Sequence, residues 1–335
     1  MATDSPAIPA NLGALVAKTY AAALAAGNLT FTASAATTEI RLHAVTVYIP
    51  TAGLQRCSAN ADLQYHIRFC PSLLRKPGPA HSAGKPNPFL PPQKGLLVAS
   101  APGYNLVLNR FPVIGQHFLL CTADFQPQAQ PLRACDLAAV HAVLNAWPGP
   151  EGGEHERGRL YGFFNSGEHS GASQPHRHIQ FLPLPPLAQR ELPFDAAPAP
   201  TPTRTPTPAP ATLWTHPGMP FVSFCIRFST STAEEFVSAY QTLLARVEEA
   251  AGGGGGGEGG GREGRGVGVS YNMGVTREWM VLAPRTSEDG GREGVGVNGT
   301  VLAGELLAKR QEDWDFFGSG GLEEVLRGIG IPAQL

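Results

Sequence analysis

The sequence predicts an α+β protein whose mostly antiparallel sheet is flanked by helices. Segments with the apolar and β-branched character of strands outnumber the helical segments, and few helices separate one strand from the next. Parallel neighbours would need a crossover, usually a helix, between each pair of strands. Two stretches rich in Pro/Thr or Gly interrupt the pattern. These observations favour an α+β sheet over a doubly wound parallel one.

The predicted elements follow the chain in a simple order. The first helix covers about 12–26, where Leu12, Val16 and Tyr20 fall near one face and Gly27 provides a stop. Further helices are predicted at about 132–147, 232–251, 300–309 and 322–328. Strands are predicted at about 65–69, 96–99, 105–109, 118–121, 160–164, 176–182, 222–228, 267–272 and 278–283.

Three segments have the composition of insertions. Residues 196–210 are rich in Pro, Thr and Ala, and residues 252–261 are almost all glycine. Such chains are unable to bury a core and are predicted to be disordered or mobile. Residues 287–294 have a similar composition.

The composition limits the classes of partner. The 335 residues include 27 acidic and 25 basic side chains, giving a net charge of −2. This balance argues against a nucleic-acid partner and against a polybasic membrane surface. The odd number of scattered cysteines fits a reducing compartment, and the first residues lack a signal-peptide pattern. We expect a cytoplasmic protein, with the nucleus as a second location.

The most informative segment is 165–180, which reads NSGEHSGASQPHRHIQ. Small residues precede two histidines spaced two apart, and a glutamine follows after two more. In a strand, side chains alternate between faces. His176, His178 and Gln180 are therefore predicted to point the same way, with Arg177 and Ile179 on the other face.

This pattern suits the transfer of a phosphate-containing group. A neutral imidazole, with an ordinary pKa of roughly 6.5, can attack phosphorus and form a covalent intermediate. The backbone amides of Gly171, Ala172 and Ser173 can surround phosphate oxygens. Gln180 is neutral, so it can bond a phosphate oxygen without activating water as a base.

A metal site is the alternative interpretation of the two histidines. Zinc prefers four nitrogen or sulfur ligands. His155 and His169 lie close enough in sequence to join His176 and His178, while no Cys-x-x-Cys pair occurs. A metal-binding or nucleotide-sensing protein without turnover therefore stays a candidate.

The motif resembles the signature of the fungal diadenosine tetraphosphate phosphorylases. These ATP adenylyltransferases belong to the histidine-triad superfamily, on the branch of the galactose-1-phosphate uridylyltransferases. Segments at 70–77, 85–89, 106–113 and 117–120 also resemble the family, as do 270–273, 276–285 and 298–309. The resemblance covers about 63–335 and one early helix. Residues of about 38–62 have no counterpart, and an extra strand or a gene-model artefact would explain them.

The resemblance implies a histidine-triad-like fold and a reversible two-step reaction. His178 would attack the α-phosphate of diadenosine tetraphosphate and hold AMP while ATP leaves, and phosphate would then release ADP. His176 would orient the nucleophile, and ADP-sulfate is a further substrate of related enzymes. A hydrolase of the histidine-triad type is disfavoured because Gln180 stands where a third histidine would be.

The resemblance also implies two adenylyltransferase halves, 1–190 and 216–335, joined by a linker at 191–215. It predicts a monomer and a set of substrate contacts. A divalent cation, expected to be Mg²⁺, is predicted from chemistry, because it would offset the charge of the polyphosphate. Glu305 stands where at least one relative has methionine. The implied substrate-binding residues are Lys76, Asn109, Arg110, Asn165, Gly171, Ala172, Ser173, Gln174, Asn298, Gly299, Thr300, Glu305 and Lys309.

A sugar-1-phosphate uridylyltransferase-like activity is a third candidate. That group usually has proline between the two histidines, whereas Arg177 stands there in this chain. The cysteine-rich metal site expected of that group is also missing from the sequence. A comparison of uridine and adenine substrates would separate the two activities.

Overall fold

The structure is a computed structural model that describes residues 6–42, 62–75, 87–147, 158–185, 190–197, 213–252 and 268–333. Lys76, His155, most of 196–210, the glycine run at 253–261 and residues 43–61 lie outside these ranges. The predictions for them stay predictions. No helix within the described ranges is long and apolar enough to cross a membrane.

The described residues form twelve strands and five α-helices. The strands are β1 (Ala36–Leu42), β2 (Leu63–Phe69), β3 (Leu97–Ala101), β4 (Tyr104–Leu108), β5 (Phe118–Thr122), β6 (Arg159–Ser166), β7 (His178–Leu184), β8 (Leu213–Trp214), β9 (Phe224–Arg227), β10 (Ser270–Val275), β11 (Trp279–Arg285) and β12 (Glu305–Ala308). The α-helices are α1 (Leu12–Ala25), α2 (Ala134–Ala146), α3 (Ala233–Ala250), α4 (Gln311–Phe316) and α5 (Leu322–Gly328). Short 3₁₀ helices cover Pro71–Arg75, Lys94–Leu96, Glu168–Ser170 and Gly299–Ala303.

Nine of the strands form one sheet in the order β3-β4-β5-β7-β6-β10-β11-β9-β8. Every neighbouring pair in it is antiparallel. A second sheet has the order β1-β2-β12, with β2 and β12 parallel. The predicted α+β class with a mostly antiparallel sheet is confirmed. The pairing of β6 with β10 joins the two predicted halves in one sheet.

The large sheet is buried on both faces, and adjacent residues alternate between two cores. Phe164 and Phe181 pack with α1, α2 and α3 in one apolar cluster, whereas Phe163 and Leu182 pack in another with β2, β12 and α5. This alternation follows from the two-residue period of a strand. On β7, His178 and Gln180 alternate with Ile179 and Phe181, so they face the second cluster.

Arg177, the charged residue between the two histidines, is buried and paired with a carboxylate. Its guanidinium donates to Asp136 on α2, with 2.7 Å between Nη1 and Oδ2, and both side chains are buried. Tyr104 donates to the same carboxylate at 2.7 Å. Arg177 therefore fastens β7 to the helical layer, on the side of the sheet away from His178.

The structure differs from the predicted elements most at 300–309. The prediction of a helix there is wrong: a 3₁₀ helix ends at Ala303, Gly304 follows with φ of +68°, and β12 begins at the next residue. Its residues Glu305–Ala308 pair in parallel with β2 from His66. The long-range pairing overrides the local preference of this segment for helix.

Two smaller differences concern the motif and a loop. Strand β7 begins at His178 rather than at 176, and His176 makes an isolated bridge to Pro127. Residues 287–294 form a hydrogen-bonded turn, in which Ser287 Oγ accepts from the amide of Gly290 at 3.0 Å. The sequence had grouped this turn with the mobile insertions.

Candidate active site

His178 lies where β6 and β7 separate. The pairing of these strands runs as far as Phe163 with Gln180, and beyond it the side chain of Gln128 stands between them. The Oε1 of Gln128 accepts from the amide of His178 at 2.8 Å, while its Nε2 donates to the carbonyl of Asn165 at 2.8 Å. A buried amide thus replaces direct strand pairing and fixes the backbone of His178.

The imidazole of His178 is held by one nitrogen. Its Nδ1 lies 2.8 Å from the carbonyl oxygen of His176, which can only accept, so Nδ1 carries the proton. The lone pair is then on Nε2, which has no hydrogen-bond partner within the described ranges. Burial lowers the pKa of His178 to about 4. The ring is therefore neutral at physiological pH, with an uncommitted nucleophilic nitrogen.

His176 has both ring nitrogens committed. Nε2 lies 2.9 Å from the carbonyl oxygen of Thr122 and equally far from its hydroxyl, and Nδ1 lies 2.9 Å from Asn87 Nδ2. The carbonyl acceptor assigns the proton to Nε2. Burial lowers the pKa of His176 as well. His176 thus orients His178 through its backbone carbonyl, and its ring is anchored.

Phe89 contacts both motif histidines. The ring centroids are 5.6 Å from His176 and 5.3 Å from His178. Phe89 is buried, so an apolar wall lies beside the two imidazoles. This wall contributes to the desolvation that keeps both rings neutral.

Gln180 follows His178 on the same face of β7. Its Oε1 lies 3.1 Å from His117 Nε2, and His117 Nδ1 lies 3.0 Å from Asn109 Nδ2. His117 immediately precedes β5 and Asn109 immediately follows β4. The predicted contact residue Asn109 is therefore connected to the predicted catalytic residue Gln180 through a histidine that the motif did not include.

The loop before the histidines offers a row of backbone donors. Gly167 and Gly171 have φ of +87° and +76°, a region that favours glycine. The amides of 171–174 donate to no acceptor within the described part of the chain. Gln174 Oε1 is buried without a partner there as well. Consecutive unpaired amides are typical of an anion-binding nest.

The loop 298–300 packs against this row of amides. A Cβ on Gly171 would come within 2.7 Å of the carbonyl oxygen of Val297 and 2.9 Å of Asn298 Cβ. Asn298 Oδ1 accepts from the amide of Thr300 at 3.0 Å, which begins the 3₁₀ helix. The structure thus brings together two predicted binding segments that lie more than 120 residues apart in sequence.

Asn165 forms part of a buried polar network. Its Oδ1 accepts from Asn272 Nδ2 at 2.9 Å and from the amide of Gly299 at 2.8 Å. The guanidinium of Arg285 donates to Asn272 Oδ1. Only Nδ2 of Asn165 is left for a ligand within the described residues. Asn165 therefore supports the loop at 298–300 directly.

Arg285 is buried without a carboxylate partner in the described ranges. It donates instead to oxygen atoms of the loop and of the C-terminal helix. These acceptors are the carbonyls of Ile329 at 2.9 Å, Ser287 at 2.9 Å, Val297 at 3.0 Å and Glu288 at 3.4 Å. Burial lowers its pKa to about 10, so it stays cationic at neutral pH. A single positive charge thus organises the backbone next to Asn298.

Glu305 lies in a cleft of about 510 Å³. Its carboxylate pairs with Arg68, with 2.9 Å between Nε and Oε2, and with Arg190. Ile114 and Leu184 are among the apolar residues that line the cleft. Because two guanidinium groups offset one carboxylate, the cleft is net positive despite the acidic side chain. Such a cleft does not repel a phosphate chain.

The other predicted contact residues lie at the edges of the site. Arg110 is exposed, with its guanidinium 5.6 Å from the centroid of the Phe111 ring. Lys309 follows β12 and is half-buried. Ala172 is half-buried, and Ser173 is exposed in the loop. Lys76 lies outside the described residues.

The chain was compared with protein families. Residues 19–199, more than half of the chain, match the Ap4A phosphorylase N-terminal domain, and residues 217–332 match the ATP adenylyltransferase C-terminal domain. The chain belongs to the Ap4A phosphorylase family. The family predicted from the motif is confirmed.

Two yeast proteins are similar to this family member over most of its length. Protein APA1 of Saccharomyces cerevisiae is 26% identical over 311 residues, which cover 91% of this chain and 89% of that protein. Diadenosine 5',5'''-P1,P4-tetraphosphate phosphorylase 2 of the same yeast is 28% identical over 260 residues, covering 74% and 77%.

Solved structures of yeast Ap4A phosphorylase Apa2 share the fold. The structure of Apa2 in complex with Ap4A has a TM-score of 0.73 at 24% identity and covers 98% of this chain and all of that one. The structure in complex with AMP has a TM-score of 0.69 at 23% identity, covering 98% and 99%. At these identities the likeness concerns the fold.

Several residues that shape the site of this Ap4A phosphorylase family member escaped the sequence analysis. Gln128 holds the backbone of His178, whereas His117, Thr122 and Asn87 contact motif side chains. Each contact spans at least 50 residues of sequence. No local pattern marks such partners. His117 stood in a segment that resembles the family, but nothing in its spacing pointed to Gln180.

Proposed function

We propose that this protein phosphorolyses diadenosine tetraphosphate with inorganic phosphate to give ATP and ADP, reversibly. The proposal combines membership of the family with the geometry of His178. One observation carries it: Nδ1 of His178 is tied to a carbonyl while the opposite nitrogen is uncommitted. An imidazole held in this way presents its lone pair to one side only.

The first step transfers AMP to the protein. Nε2 of His178 attacks the α-phosphorus, a P–N bond forms, and the bond from that phosphorus to the bridging oxygen breaks. The electron pair leaves with ATP. As Nε2 bonds phosphorus, the ring becomes cationic, and the carbonyl of His176 on Nδ1–H stabilises this charge.

The second step regenerates the histidine. An oxygen of inorganic phosphate attacks the same phosphorus, the P–N bond breaks, and ADP leaves with the electron pair of the ring restored to Nε2. Gln180 is an amide and does not deprotonate water. We therefore infer that phosphate, which is already anionic, is favoured over water as acceptor.

We propose that the substrate lies between the loop at 171–174, the loop at 298–300 and the cleft around Glu305. The uncommitted amides of 171–174 suit the α-phosphate beside His178. The net-positive cleft suits a further part of the nucleotide. Asn109, Arg110, Asn165, Lys309 and Lys76 remain proposed contacts at the border of this space.

Magnesium is proposed as part of the substrate. Mg²⁺ prefers carboxylate, carbonyl and phosphate oxygens. No group of three or more His, Cys, Asp or Glu side chains that could hold a metal lies within the described residues. The polyphosphate itself supplies oxygen ligands, so the ion would arrive with it. The same finding weighs against a zinc site built on His169, His176 and His178.

Other parts of the proposal rest on the resemblance. They are a monomeric state, activity toward ADP-sulfate and the boundaries of the two halves. A cytoplasmic location, with the nucleus as a second one, is proposed from the cysteine pattern. The family match decides against the sugar-1-phosphate alternative. A parallel assay with uridine and adenine dinucleotides tests that decision.

The function is tested by incubating the protein with diadenosine tetraphosphate, with and without phosphate. With phosphate we expect ATP and ADP in equal amounts over many turnovers; without it, at most one ATP per protein molecule should form, as AMP is transferred to His178. His178→Gly should abolish both products. His169→Ala is the matched control because His169 belongs to the same motif and is exposed; it should stay active. Repeated turnover without phosphate, or an active His178→Gly variant, would refute the proposal.

A further inference from the structure

Asn109, His117 and Gln180 form a chain of hydrogen bonds with a forced direction. Asn109 and His117 close the loop between β4 and β5, where the amide of Asn109 donates to the carbonyl of His117 at 2.9 Å. Their side chains are joined at 3.0 Å, and His117 reaches Gln180 at 3.1 Å. His117 is buried, with its ring centroid 6.2 Å from that of Phe163.

The donor and acceptor roles along this chain of hydrogen bonds are fixed by a backbone amide, which can only donate. The amide of Phe111 lies 2.9 Å from Asn109 Oδ1, so the oxygen of this side chain is fixed and its NH₂ faces His117. Nδ1 of His117 must then accept. In a neutral imidazole the other nitrogen carries the proton. Nε2–H therefore donates to Gln180, and the atom of Gln180 that it meets is the oxygen.

We propose that His117 is a positioning residue that fixes the side-chain amide of Gln180 with its NH₂ group toward the α-phosphate. The inference rests on the proposed function, since it assigns a task to Gln180 in that reaction. No described residue accepts a hydrogen bond from Gln180 Nε2. That group is thus available to a phosphate oxygen beside His178.

The orientation of this amide matters because its two ends have opposite polarity. With NH₂ toward the substrate, Gln180 donates to a phosphate oxygen that gains negative charge during transfer. With the amide rotated by a half-turn, its carbonyl oxygen would face the same anion and repel it. Amide nitrogen and oxygen have nearly the same shape, so packing alone does not select one orientation. The proton on His117 Nε2 does.

A double-mutant cycle on His117 and Gln180 tests this assignment. His117→Phe keeps a ring against Phe163 and removes the hydrogen bonds to Asn109 and Gln180. We expect Gln180→Ala to lower kcat roughly 100-fold, within the range found for removal of one transition-state donor. His117→Phe should lower kcat about tenfold with little change in KM, because a free amide spends part of its time in the wrong orientation.

The double variant separates positioning from a general structural role. If His117 acts through Gln180, adding His117→Phe to Gln180→Ala should cause no further loss. His117→Gln, whose terminal amide can donate to Gln180, should recover most of the activity. Full activity of His117→Phe, or losses that multiply in the double variant, would overturn the inference.

Nitrogen NMR of histidine-labelled protein gives a second, independent result that needs no assay. We expect His117 to be neutral with its proton on Nε2, and His178 to be neutral with its proton on Nδ1. A proton on Nδ1 of His117 would contradict the inference even if all variants fail to fold. Absence of phosphorolysis in the unaltered protein would instead refute the proposed function.

Discussion

Two polar regions adjoin each other in this protein and differ in burial and in how far their hydrogen bonds are satisfied. The reactive edge comprises His178, Gln180 and the amides of 171–174. The buried clamp comprises Asn165, Asn272 and Arg285. In the clamp, Asn272 uses its oxygen and its NH₂ group on three partners, and Arg285 donates to several carbonyls. In the reactive edge, donors and one lone pair lack partners within the described residues.

The difference separates structural from chemical tasks. A buried polar group without a partner costs free energy, so most are paired. The clamp follows this rule and holds the loop at 298–300 against the motif. The reactive edge is partly exposed and leaves its amide donors and the lone pair of His178 open at the place where the proposed substrate binds. Unsatisfied groups beside a saturated network thus indicate a site that awaits a ligand.

The largest expected effect comes from the nucleophile in the reactive edge. His178→Gly should lower the rate of phosphorolysis by roughly 10⁴-fold or more, as loss of a covalent nucleophile does elsewhere. The fold should persist, because the contact of Gln128 with position 178 uses backbone atoms. Rates and a circular dichroism spectrum check both statements. Comparable rates in the variant and the parent would contradict the assignment of the chemical task to the reactive edge.

The next largest effect should come from the clamp and should act on stability. Arg285→Gln leaves several buried carbonyls without a donor, each costing about 1–3 kcal/mol. We expect the free energy of unfolding to fall by about 3–5 kcal/mol. Arg41→Gln is the matched control, since Arg41 is exposed on β1 and its loss should cost about 0.5 kcal/mol or less. Urea unfolding distinguishes them, and equal losses would show that no clamp exists.

Acid should destabilise the protein through its buried histidines. Burial lowers the pKa of His178 and of His216 to about 4. Their pKa values in the unfolded chain are higher, so the unfolded state binds protons first as pH falls from about 6.5 to 4. Each histidine should cost up to about 3 kcal/mol of stability across that window.

Urea unfolding at pH 7 and pH 4.5 measures this loss. His216→Gln removes one titrating group and should flatten the dependence, whereas His141→Gln should not, because His141 is only half-buried on α2. An unchanged dependence in His216→Gln would show that burial does not lower the pKa of this ring in the folded state.

The smallest effect concerns the contact between the two regions. Gly171→Ala combines a positive φ with a Cβ at 2.7 Å from the carbonyl of Val297. We expect a loss of about 2 kcal/mol and a higher KM, because the loops must move apart. Gly103→Ala has a similar φ, with nothing within 4 Å of the added carbon, and should cost about 1 kcal/mol without affecting KM. Equal effects of Gly171→Ala and Gly103→Ala on KM would contradict the proposal that the two loops bind substrate together.

Local sequence predicted the parts of the fold that depend on local pattern. The strand of the motif, the alternation of its side chains and the helix of α3, which is capped by Thr232, follow from spacing and residue type. The strand β12 did not, because its parallel pairing with β2 depends on residues about 240 positions away. Within the helix predicted at about 300–309, Gly304 was the local sign that helical structure would end there.

The sequence predicted candidate residues of the site, but it did not predict the hydrogen bonds that position them. The motif identified His178 and the amide loop, but the task of Asn165 depends on Asn272 and Gly299, which are more than 100 positions distant. The partners Gln128 and His117 also lie 50 or more positions from the residues that they support. Such contacts arise from sheet topology, which a single sequence does not display.

Mass spectrometry after brief exposure to diadenosine tetraphosphate, in the absence of phosphate, tests the central claim most directly. The digest should be kept at neutral or alkaline pH, since a P–N bond to histidine is labile in acid. We predict an adenylyl group on the peptide that contains His178, its removal by phosphate with release of ADP, and its absence from His178→Gly. An adduct on another residue, or phosphorolysis without any adduct in rapid-quench samples, would contradict the account.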